Sequence, residues 1–297
     1  DSKRIYEKIS SLNLSEDRYT FIKADLYNKS HIEEIISEVS PDCIFHLAAE
    51  SHVDRSIDSP RNFVESNVIG TFNLLEASRI YWKTIHDSNK NIFRFVHIST
   101  DEVYGSLEIK GSFTEESSYD PRSPYSASKA ASDHFVKAYY HTYGLPILIT
   151  NCSNNYGPWQ FPEKLIPVII SNALSNKFIP IYGDGLNIRD WIYVDDHINA
   201  LITVLEKGTV GSNYCIGSSE EHTNMDIVNN ICSFLDREKP SNQPYSNLIK
   251  TVKDRLGHDK RYAIDSTKIR YELGWRPKYN FKDSLEKTIR WYMRNQF

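Results

Sequence analysis

The sequence predicts an α/β fold in which a doubly wound parallel sheet is followed by a smaller C-terminal lobe. Segments typical of strands alternate with segments typical of helices from Tyr19 to Thr150, which is the order of βαβ units. The strand-like segments are almost continuously apolar, as in parallel strands that are covered on both faces. After Asn151 the chain contains several turns rich in Pro and Gly, which indicates a change of architecture there.

The first βαβ unit is predicted between residues 19 and 49. Residues 1–15 are polar and show neither a strand nor a glycine-rich turn. Tyr19–Asp25 has the composition of a short strand that ends in an acid, and the apolar spacing within His31–Val39 predicts an amphipathic helix. Pro41–Ala49 follows as an apolar strand, so strand, helix and strand succeed one another.

The alternation continues through the middle of the chain. A helical pattern with apolar residues from Phe63 to Ala77 precedes a predicted strand at Ile92–Ile98. A polar connection then leads to a helix that starts near Tyr125. Leu145–Thr150, which is rich in β-branched and aliphatic residues, is the next predicted strand.

The second half of the chain is predicted to leave the sheet and to return to it once. Asn154–Pro158 and Tyr182–Gly185 are turns in which Pro and Gly allow sharp bends. A helix is predicted at Ile198–Glu206, and Asn213–Gly217 has the pattern of a strand that revisits the first sheet. The last predicted element is a helix at Phe281–Met293.

The composition argues against several functional classes. With 297 residues, 40% of them hydrophobic and 25% charged, the chain has the composition of a soluble globular protein. Its net charge of −4 and the lack of any long basic tract argue against nucleic acid or an anionic membrane as a partner. The apolar runs are too short to span a bilayer and no signal-peptide pattern opens the chain, so we expect a cytoplasmic location.

The cysteines indicate a reducing compartment and no metal site. They are far apart in the sequence and show no C-x-x-C spacing. Because they lie in apolar or strand-like segments, we expect all of them to be buried free thiols. They are Cys43, Cys152, Cys215 and Cys232.

Two short segments carry the groups that could do chemistry. Ser99–Gly105, with the sequence Ser-Thr-Asp-Glu-Val-Tyr-Gly, follows a predicted buried strand, and the carboxyl ends of strands are where open α/β sheets bind ligands. Tyr125 and Lys129 are four residues apart on a predicted helix, so both side chains project from one face. A neighbouring ammonium stabilises a phenolate and can bring a tyrosine into the range of a useful base.

The adjacent acids Asp101 and Glu102 present a geometric difficulty, because neighbours on a regular strand point to opposite faces. The difficulty is smaller at a strand end that enters a turn. Two carboxyl groups near one substrate can have different pKa values, so that one is a protonated acid and the other an ionised base. A solvated acidic pair, and a Tyr-Lys pair on a solvated helix face, are the alternatives when each is considered alone.

Seven motifs together resemble the dTDP-glucose 4,6-dehydratases, a family of the extended short-chain dehydrogenase/reductase superfamily. They cover nearly the whole chain in the family's order. Tyr-x-x-x-Lys identifies only the superfamily, whereas Thr-Asp-Glu in this place marks the sugar 4,6-dehydratases. The motifs are Leu47–Ser56, Ser99–Gly105, Tyr125–Lys129, Asn154–Pro158, Phe161–Pro167, Tyr182–Gly185 and Asp254–His258.

The resemblance implies conversion of dTDP-glucose to dTDP-4-keto-6-deoxyglucose and water with tightly held NAD. Tyr125 would take the proton of the sugar 4-hydroxyl as hydride leaves C4, while Lys129 lowers the tyrosine's pKa and Thr100 hydrogen-bonds the reacting oxygen. Glu102 would then remove the C5 proton as Asp101 protonates the departing 6-hydroxyl. The hydride would return to C6, so the cofactor would end as it began.

The resemblance also implies two sets of binding residues. Those for NAD are Asp25, Leu26, Leu47, Ala48, Ala49, Ser51, Ser66, Tyr125, Lys129 and Asn155. Those for the nucleotide sugar are Ser51, Thr100, Asn154, Lys164, Leu165, Pro180, Tyr182, Arg189, Asn224, Asp254, Arg255 and His258. Among the second set, Arg189, Arg255 and His258 are chemically suited to a diphosphate, because guanidinium groups form bidentate contacts with such anions. Taken singly, each could equally be a surface cation.

The same resemblance implies a division of the chain and a dimer. Residues 1–155 would form the Rossmann-like NAD-binding domain, to which residues 190–220 return, and residues 156–297 would mainly form the nucleotide-sugar lobe. The superfamily pairs its subunits through two helices, which correspond here to Phe63–Trp82 and Tyr125–Tyr143. We therefore expect a homodimer.

The chain departs from the family at its start. The family opens with a strand and a glycine-rich turn that holds the cofactor's pyrophosphate, but no glycine precedes Gly70 here. We expect this N-terminal unit of about thirty residues to be missing because the sequence is a portion of a longer protein, rather than because the gene product lacks it. The chain alone is expected to bind NAD poorly.

Three alternatives to this function remain at the level of sequence. One is a related 4,6-dehydratase acting on a UDP- or GDP-sugar. Another is a 4-epimerase, although epimerisation needs no acid/base pair for elimination. The third is a non-catalytic relative that binds a sugar or a cofactor, against which the retained Tyr125, Lys129, Asp101 and Glu102 argue.

Overall fold

The computed structural model describes residues 2–12, 15 and 18–295, and the elements named here are those of this part of the chain. The helices are α1 (Ser2–Ser11), α2 (Lys29–Val39), α3 (Val53–Asp58), α4 (Pro60–Phe63), α5 (Gly70–Thr84), α6 (Asp87–Ile92), α7 (Pro124–Tyr143), α8 (Leu165–Leu174), α9 (Val194–Lys207), α10 (Asn224–Glu238), α11 (Thr267–Leu273) and α12 (Phe281–Arg294). The strands are β1 (Cys43–His46), β2 (Arg94–Thr100), β3 (Ile147–Cys152), β4 (Asn154–Tyr156), β5 (Ile179–Tyr182), β6 (Ile188–Tyr193), β7 (Asn213–Ile216), β8 (Glu221–Thr223) and β9 (Ile249–Val252). A π-helical segment, Val64–Ile69, joins α4 to α5, and short 3₁₀ segments occupy Asp101–Tyr104 and Tyr245–Leu248.

The main sheet has four strands in the order β1-β2-β3-β7, and all of its pairings are parallel. The predicted α/β class with a doubly wound parallel sheet is therefore confirmed. The predicted return of residues 213–217 also occurs, because Asn213–Ile216 pairs with β3. The return of this segment places a C-terminal strand at one edge of the sheet, opposite β1.

Apolar side chains cover both faces of this sheet. Phe95 and Ile149 pack toward α2, α5 and α7 on one face. Val96 and Leu148, their neighbours in sequence, pack toward α9 and α11 on the other face. The alternation explains why β2 and β3 read as continuous apolar segments, since successive residues enter different cores.

The C-terminal lobe is built on two small sheets, one of order β4-β6-β8 and one in which β5 pairs with β9. Its core contains buried residues of α8, α10 and α12, such as Ile166, Ile227 and Ile289. The strand β4 follows β3 after a single residue, so the lobe begins directly at the carboxyl edge of the main sheet. The predicted boundary between residues 155 and 156 lies within β4 and stays a prediction.

Helix α7 has well-defined signals at both ends. Ser123 accepts a hydrogen bond from Ser126 N at 3.1 Å in a capping box, and Pro124 occupies the first turn, where its missing N–H costs nothing. Gly144 ends the helix in the left-handed conformation, with φ of 73°. These signals place Tyr125 and Lys129 in the first two turns of the helix, as the sequence predicted.

The predicted strand at Tyr19–Asp25 is wrong. In the structure these residues form no strand, and Phe21 and Ile22 remain 52% and 40% exposed. A strand requires hydrogen bonds to a neighbouring strand, and no strand among the described residues pairs with this segment. The predicted strand Pro41–Ala49 is also shorter than expected, because only Cys43–His46 pairs with β2.

The structure also describes the state of the cysteines, any clusters of metal-binding side chains and the length of the apolar helices. All four cysteines are free, but only Cys215 and Cys232 are buried, whereas Cys43 and Cys152 are partly exposed. Within the described ranges, no cluster of three or more His, Cys, Asp or Glu side chains could hold a metal ion. The described helices include none that is long and apolar enough to cross a membrane.

We expect Gly211→Ala to destabilise the protein more than Gly111→Ala. Both glycines have left-handed φ values, 86° and 92°, so each alanine costs about 1 kcal/mol of backbone strain. A Cβ at Gly211 would lie 2.4 Å from ring atoms of Tyr140, whereas a Cβ at Gly111 meets nothing within 4 Å. The clash should remove a further ~1–3 kcal/mol of unfolding free energy, measured by urea denaturation. Equal losses in the two variants would show that the Tyr140 ring moves aside without cost.

Candidate active site

The chain turns sharply at the end of β2. Thr100 is the last residue of the strand, and its hydroxyl caps the following 3₁₀ segment by accepting from Glu102 N at 3.3 Å. Gly105 ends that segment with φ of 91°, where a Cβ would lie 2.7 Å from the Asp120 carbonyl oxygen. Because Asp101 and Glu102 belong to a helical turn, the opposite-face geometry of a strand does not apply to them.

Asp101 has the properties of a protonated acid. It is 1% exposed, and its Oδ2 atom is buried without a hydrogen-bond partner. Burial raises the pKa of Asp101 well above its ordinary value, and the charges of Glu102 and Asp190 raise it further. A neutral carboxyl group in this position can donate a proton to a ligand.

Glu102 belongs to the same turn, but several basic side chains act on its carboxyl group. Burial raises the pKa of Glu102 overall and the charge of Asp259 adds to this effect, whereas the positive charges of Arg255 and Arg189 oppose it. Lys164 adds a weaker effect in the same direction. Three cations act on Glu102 but only Arg189 acts on Asp101, whose pKa is raised further. Glu102 is therefore the carboxyl of the pair better suited to ionise, and Asp101 is the one better suited to stay protonated.

Tyr125 and Lys129 lie next to these acids. The Tyr125 side chain is almost buried and packs edge-on against Phe63, with ring centroids 6.3 Å apart. Burial raises the pKa of Tyr125 well above its ordinary value, Glu102 raises it further, and a hydrogen bond with Thr100 lowers it. Thr100, Glu102 and Asp101 all lie near enough to this phenol to shift its pKa.

The expected lowering of the Tyr125 pKa by Lys129 is not seen in the protein alone. The Lys129 ammonium is 4% exposed and donates to the carbonyl oxygen of Ile98 at 2.8 Å. Burial lowers the pKa of Lys129 itself, and the negative charge of Asp133 opposes that effect. Burial of the phenol dominates its pKa, and the side chains with the largest effects on it are Glu102, Cys152, Thr100 and Asp101 rather than Lys129.

Residues of the 51–55 segment contact the C-terminal lobe across the cleft. Lys164 donates to the carbonyl oxygen of Ser51 at 2.6 Å and to its hydroxyl at 3.2 Å. The Tyr182 hydroxyl donates to Asp54 Oδ2 at 3.2 Å, and the Arg255 guanidinium lies 3.6 Å from Asp54 Oδ1. The predicted substrate residues Ser51, Lys164, Tyr182 and Arg255 therefore line one cleft.

The two remaining diphosphate candidates already have partners. Arg189 is buried and donates to the carbonyl oxygens of Ile188 at 2.7 Å and Asp259 at 3.0 Å, so much of its guanidinium fork is occupied. His258 Nδ1 is 2.6 Å from Asp254 Oδ1. Arg255, whose Nε has no hydrogen-bond partner, is the arginine with donors left for an anion.

The structure places the other predicted residues on several separate elements. Asn154 and Asn155 lie on β4, and the Oδ1 atom of each is buried without a hydrogen-bond partner. Ser66 lies in the π-helical segment, which ends before α5. The starts of α8 and α10 and the strand β5 contribute Leu165, Asn224 and Pro180.

Two groups of predicted cofactor residues lie just before α2 and just after β1. Asp25 accepts from Tyr27 N at 2.9 Å, and the Leu26 carbonyl oxygen accepts from Asn73 at 2.9 Å, so their contacts are with the adjacent turn and α5. Leu47 and Ala48 are exposed beyond β1, and Ala49 is half-buried. These residues share no hydrogen bond with the acids at the end of β2 among the described contacts.

The groups at the carboxyl edge fit the nicotinamide and ribose end of NAD. The buried oxygens of Asn155 and Asp101 lack hydrogen-bond partners, and Lys129 uses one of its three donors on Ile98. The pyrophosphate end has no corresponding glycine-rich turn in residues 1–69. The residues at the carboxyl edge therefore match the nicotinamide half of a dinucleotide site.

Sequence reasoning missed two acids. Asp54 lies within the Leu47–Ser56 motif but was not among the predicted site residues. Its place in the motif that also holds the predicted substrate residue Ser51 could have identified it. Asp133 lies four residues after Lys129 and eight after Tyr125, which is the spacing of one helix face. Helical periodicity could therefore have found Asp133.

A parallel sheet with a Tyr-x-x-x-Lys helix against its carboxyl edge defines a protein of the extended short-chain dehydrogenase/reductase superfamily. The family model described as GDP-mannose 4,6 dehydratase matches residues 1–288. Within this superfamily the chain belongs to the nucleotide-sugar 4,6-dehydratases, in the dTDP-glucose 4,6-dehydratase family. The predicted resemblance is confirmed.

Three relatives illustrate the similarity. The dTDP-glucose 4,6-dehydratase of Xanthomonas campestris pv. campestris is 51% identical over 290 residues, which cover 97% of this chain and 82% of the relative. A probable dTDP-glucose 4,6-dehydratase of Sinorhizobium fredii is 54% identical over 277 residues, or 93% of this chain and 79% of the relative. The crystal structure of DesIV, a dTDP-glucose 4,6-dehydratase from Streptomyces venezuelae with NAD and TYD bound, has a TM-score of 0.84 and 43% identity, covering 93% of this chain and 80% of DesIV.

Proposed function

We propose that the protein converts dTDP-glucose to dTDP-4-keto-6-deoxyglucose and water, with NAD as its cofactor. The observation that carries the proposal is the pair of carboxyls at the end of β2. Asp101 is buried and without a partner for Oδ2, Glu102 faces cations, and both influence the phenol of Tyr125. An elimination needs an acid and a base on one substrate, and this arrangement supplies both.

The first proton transfer is assigned to Tyr125. Its phenol would take the proton of the sugar 4-hydroxyl, while Thr100 hydrogen-bonds the same oxygen. Because burial disfavours the phenolate, the tyrosine needs a nearby positive charge, and Lys129 on the same helix face is the residue that provides it. Oxidation at C4 then makes the C5 proton acidic.

The second and third proton transfers are assigned to the acids. Glu102, with Arg255 and Arg189 stabilising its ionised form, would remove the C5 proton. Asp101, kept neutral by burial, would protonate the departing 6-hydroxyl as the C6–O bond breaks. Water leaves, and when hydride returns to C6, Glu102 would give its proton back to C5, so the overall change is the loss of water with no net redox change.

Tyr125, Lys129 and Asn155 would hold the nicotinamide half of NAD at the carboxyl edge of the sheet. When bound, NAD supplies the temporary hydride acceptance at C4 and the hydride return to C6. On the substrate side, Arg255, Lys164 and Tyr182 line the cleft where the nucleotide diphosphate would bind. Ser51 and Asn154 would contact the sugar side of the same cleft.

The assay is incubation of the full-length protein with dTDP-glucose. The proposal expects the alkali-induced absorbance that is typical of a 4-keto-6-deoxy sugar. Formation of dTDP-galactose without that absorbance would instead identify a 4-epimerase. If UDP- or GDP-glucose is dehydrated faster than dTDP-glucose, the nucleotide assignment is wrong.

The homodimer and the cytoplasmic location stay predictions. In support of a dimer, α5 and α7 expose apolar side chains on adjoining faces, among them Ile80 at 44% and Phe135 at 39%. Phe72 of α5 and Phe135 of α7 pack together, with ring centroids 6.1 Å apart. These helices cover the predicted pairing surface except for residues 63–69, which lie in α4 and the π-helical segment.

Replacement of Tyr125 by Phe should abolish the first oxidation, because the variant retains the ring but has no group to accept the 4-hydroxyl proton. We expect kcat to fall by about 10²-fold or more. Single-turnover experiments should show no formation of reduced nicotinamide. Tyr214→Phe, which removes a hydroxyl bound to Glu272 rather than one at the reacting centre, is a matched control for loss of a buried tyrosine's hydroxyl. Rapid oxidation by the Tyr125 variant would contradict the assigned role.

Asp101→Asn should separate oxidation from elimination. The amide keeps the size of Asp101 but cannot deliver the proton to the 6-hydroxyl, so reduced nicotinamide should accumulate while dehydration slows about 10²-fold. In the wild type, dehydration should also decline at alkaline pH as Asp101 loses its proton. The sign follows from the raised pKa of Asp101, because the acidic form persists up to that pKa and disappears above it. Equal dehydration rates in variant and wild type would exclude the acid role.

Asp54→Asn should strengthen binding of dTDP. The Asp54 carboxylate contacts Tyr182 and Arg255, the groups proposed to receive the diphosphate, and therefore competes with that anion. Because the pair is partly solvated, we expect only an about threefold to fivefold lower Kd by titration calorimetry. Glu163→Gln is the control, since its carboxylate pairs with Arg55 instead. Weaker or unchanged binding in the Asp54 variant would contradict this competition.

A further inference from the structure

A fully buried carboxylate lies one helical turn beyond Lys129. Asp133 is 0% exposed and continues the face of α7 that carries Tyr125 and Lys129. The proposed chemistry does not use it directly. Because an isolated carboxylate is costly to bury, its presence there requires compensation by other groups.

Four donors provide that compensation. Asp133 Oδ1 is 3.0 Å from His97 Nε2, and Oδ2 accepts from the hydroxyls of Ser99 and Tyr119, both at 2.8 Å. Asn151 on β3 makes a longer contact of 3.4 Å with Oδ2. The donors come from β2, β3 and the loop before α7, so they anchor the carboxylate from three sides.

The state of this network follows from burial and hydrogen bonding. Burial alone would raise the pKa of Asp133, but hydrogen bonds from His97 and Ser99 and the charge of Lys129 bring it below its ordinary value. Burial lowers the pKa of His97, so the ring is neutral and donates from Nε2 to the ionised Asp133. Asp133 therefore retains its negative charge.

The Lys129 ammonium binds β2 next to the residues that bind the Asp133 carboxylate. The ammonium donates to the carbonyl oxygen of Ile98, and the residues on either side of Ile98, His97 and Ser99, both bind Asp133. The Lys129 ammonium and the Asp133 carboxylate, both on α7, therefore bind consecutive residues of the same strand, β2. The titratable groups around them are His46 on β1, His97 on β2, Tyr119 before α7 and Cys152 on β3.

We propose that Asp133 is a positioning residue whose buried carboxylate keeps Lys129 in its charged ammonium form, bound to Ile98 beside Tyr125. It does not contact the reacting atoms and acts through the lysine. The inference deepens the proposed function, on which its catalytic consequence rests. Its physical content, the protonation of Lys129, does not depend on any substrate.

The first experiment follows the Lys129 ammonium by nitrogen NMR of labelled lysine, with Lys129→Arg used to assign its signal. In the wild type the ammonium should persist at neutral pH. In Asp133→Asn the loss of its proton should move to lower pH by about one unit or more, because burial is then no longer opposed by a nearby anion. Asp196→Asn is the matched control. Asp196 is also buried, and it accepts hydrogen bonds from the backbone N–H groups of Lys278 and Tyr279, which are far from Lys129 in the sequence.

The second experiment measures kcat against pH for the first oxidation of dTDP-glucose, followed as reduced nicotinamide formed in single turnovers, because this step does not use Asp101. The alkaline limb of the profile should move toward lower pH by about one unit in Asp133→Asn and remain in place in Asp196→Asn. A purely structural role would lower kcat equally at all pH values and leave the limb unmoved, and this result would overturn the inference. Thermal unfolding checks that each variant is folded.

Two further results keep the inference open to refutation. If Asp133→Asn fails to fold, Asp133→Ser supplies a second neutral replacement. Separately, a neutral Lys129 amine in the wild type at neutral pH would by itself overturn the inference. Lack of any wild-type activity on dTDP-glucose would instead refute the proposed function, while the NMR titration would still decide the role of Asp133. An unchanged Lys129 titration in both Asp133 variants would also overturn the inference about Asp133.

Discussion

The packing of α7 against the carboxyl end of β2 is the constraint on which the rest of the site depends. The helix begins at a capping box with Ser123, which brings Tyr125 and Lys129 to the strand end within two turns. The Lys129 ammonium then bonds to Ile98, and Asp133 bonds to the residues on both sides of Ile98. This contact is polar and buried, so its geometry is determined by donors and acceptors as well as by volume. Partly satisfied networks of this kind are costly, and a satisfied one favours a single arrangement.

The same region separates the properties of two adjacent acids. Asp101 turns inward and has no partner for Oδ2, whereas Glu102 faces Arg255, Arg189 and Lys164. Neighbours in sequence thereby acquire different environments within one turn of 3₁₀ helix. The separation depends on the C-terminal lobe, because the cations around Glu102 all belong to it. The lobe therefore contributes to the electrostatics of the proposed elimination as well as to binding of the nucleotide.

Much of this architecture was predictable from particular segments. The strands predicted at Ile92–Ile98 and Leu145–Thr150 form two residues later, at Arg94–Thr100 and Ile147–Cys152. The amphipathic helix α2 and the returning strand Asn213–Ile216, which also have strong local patterns, are confirmed. Tyr19–Asp25 shows the limit of such patterns. Its composition is that of a strand, but pairing is a property of two segments, and no described strand lies beside it. The shortening of the strand after Pro41 has the same cause, since pairing with β2 ends at His46.

The sequence by itself determined which groups are available and roughly where they lie: a Tyr and a Lys on one helix face, and two acids at the end of a strand. Periodicity and strand order are local, so these conclusions needed no coordinates. Only the tertiary structure decided how those groups are tuned, as in the partnerless Asp101 oxygen, the contact of Asp54 with Arg255, and the occupied fork of Arg189. The physical reason is that pKa values and ion pairs depend on burial and on distances between side chains that are far apart in the chain, which no local pattern specifies.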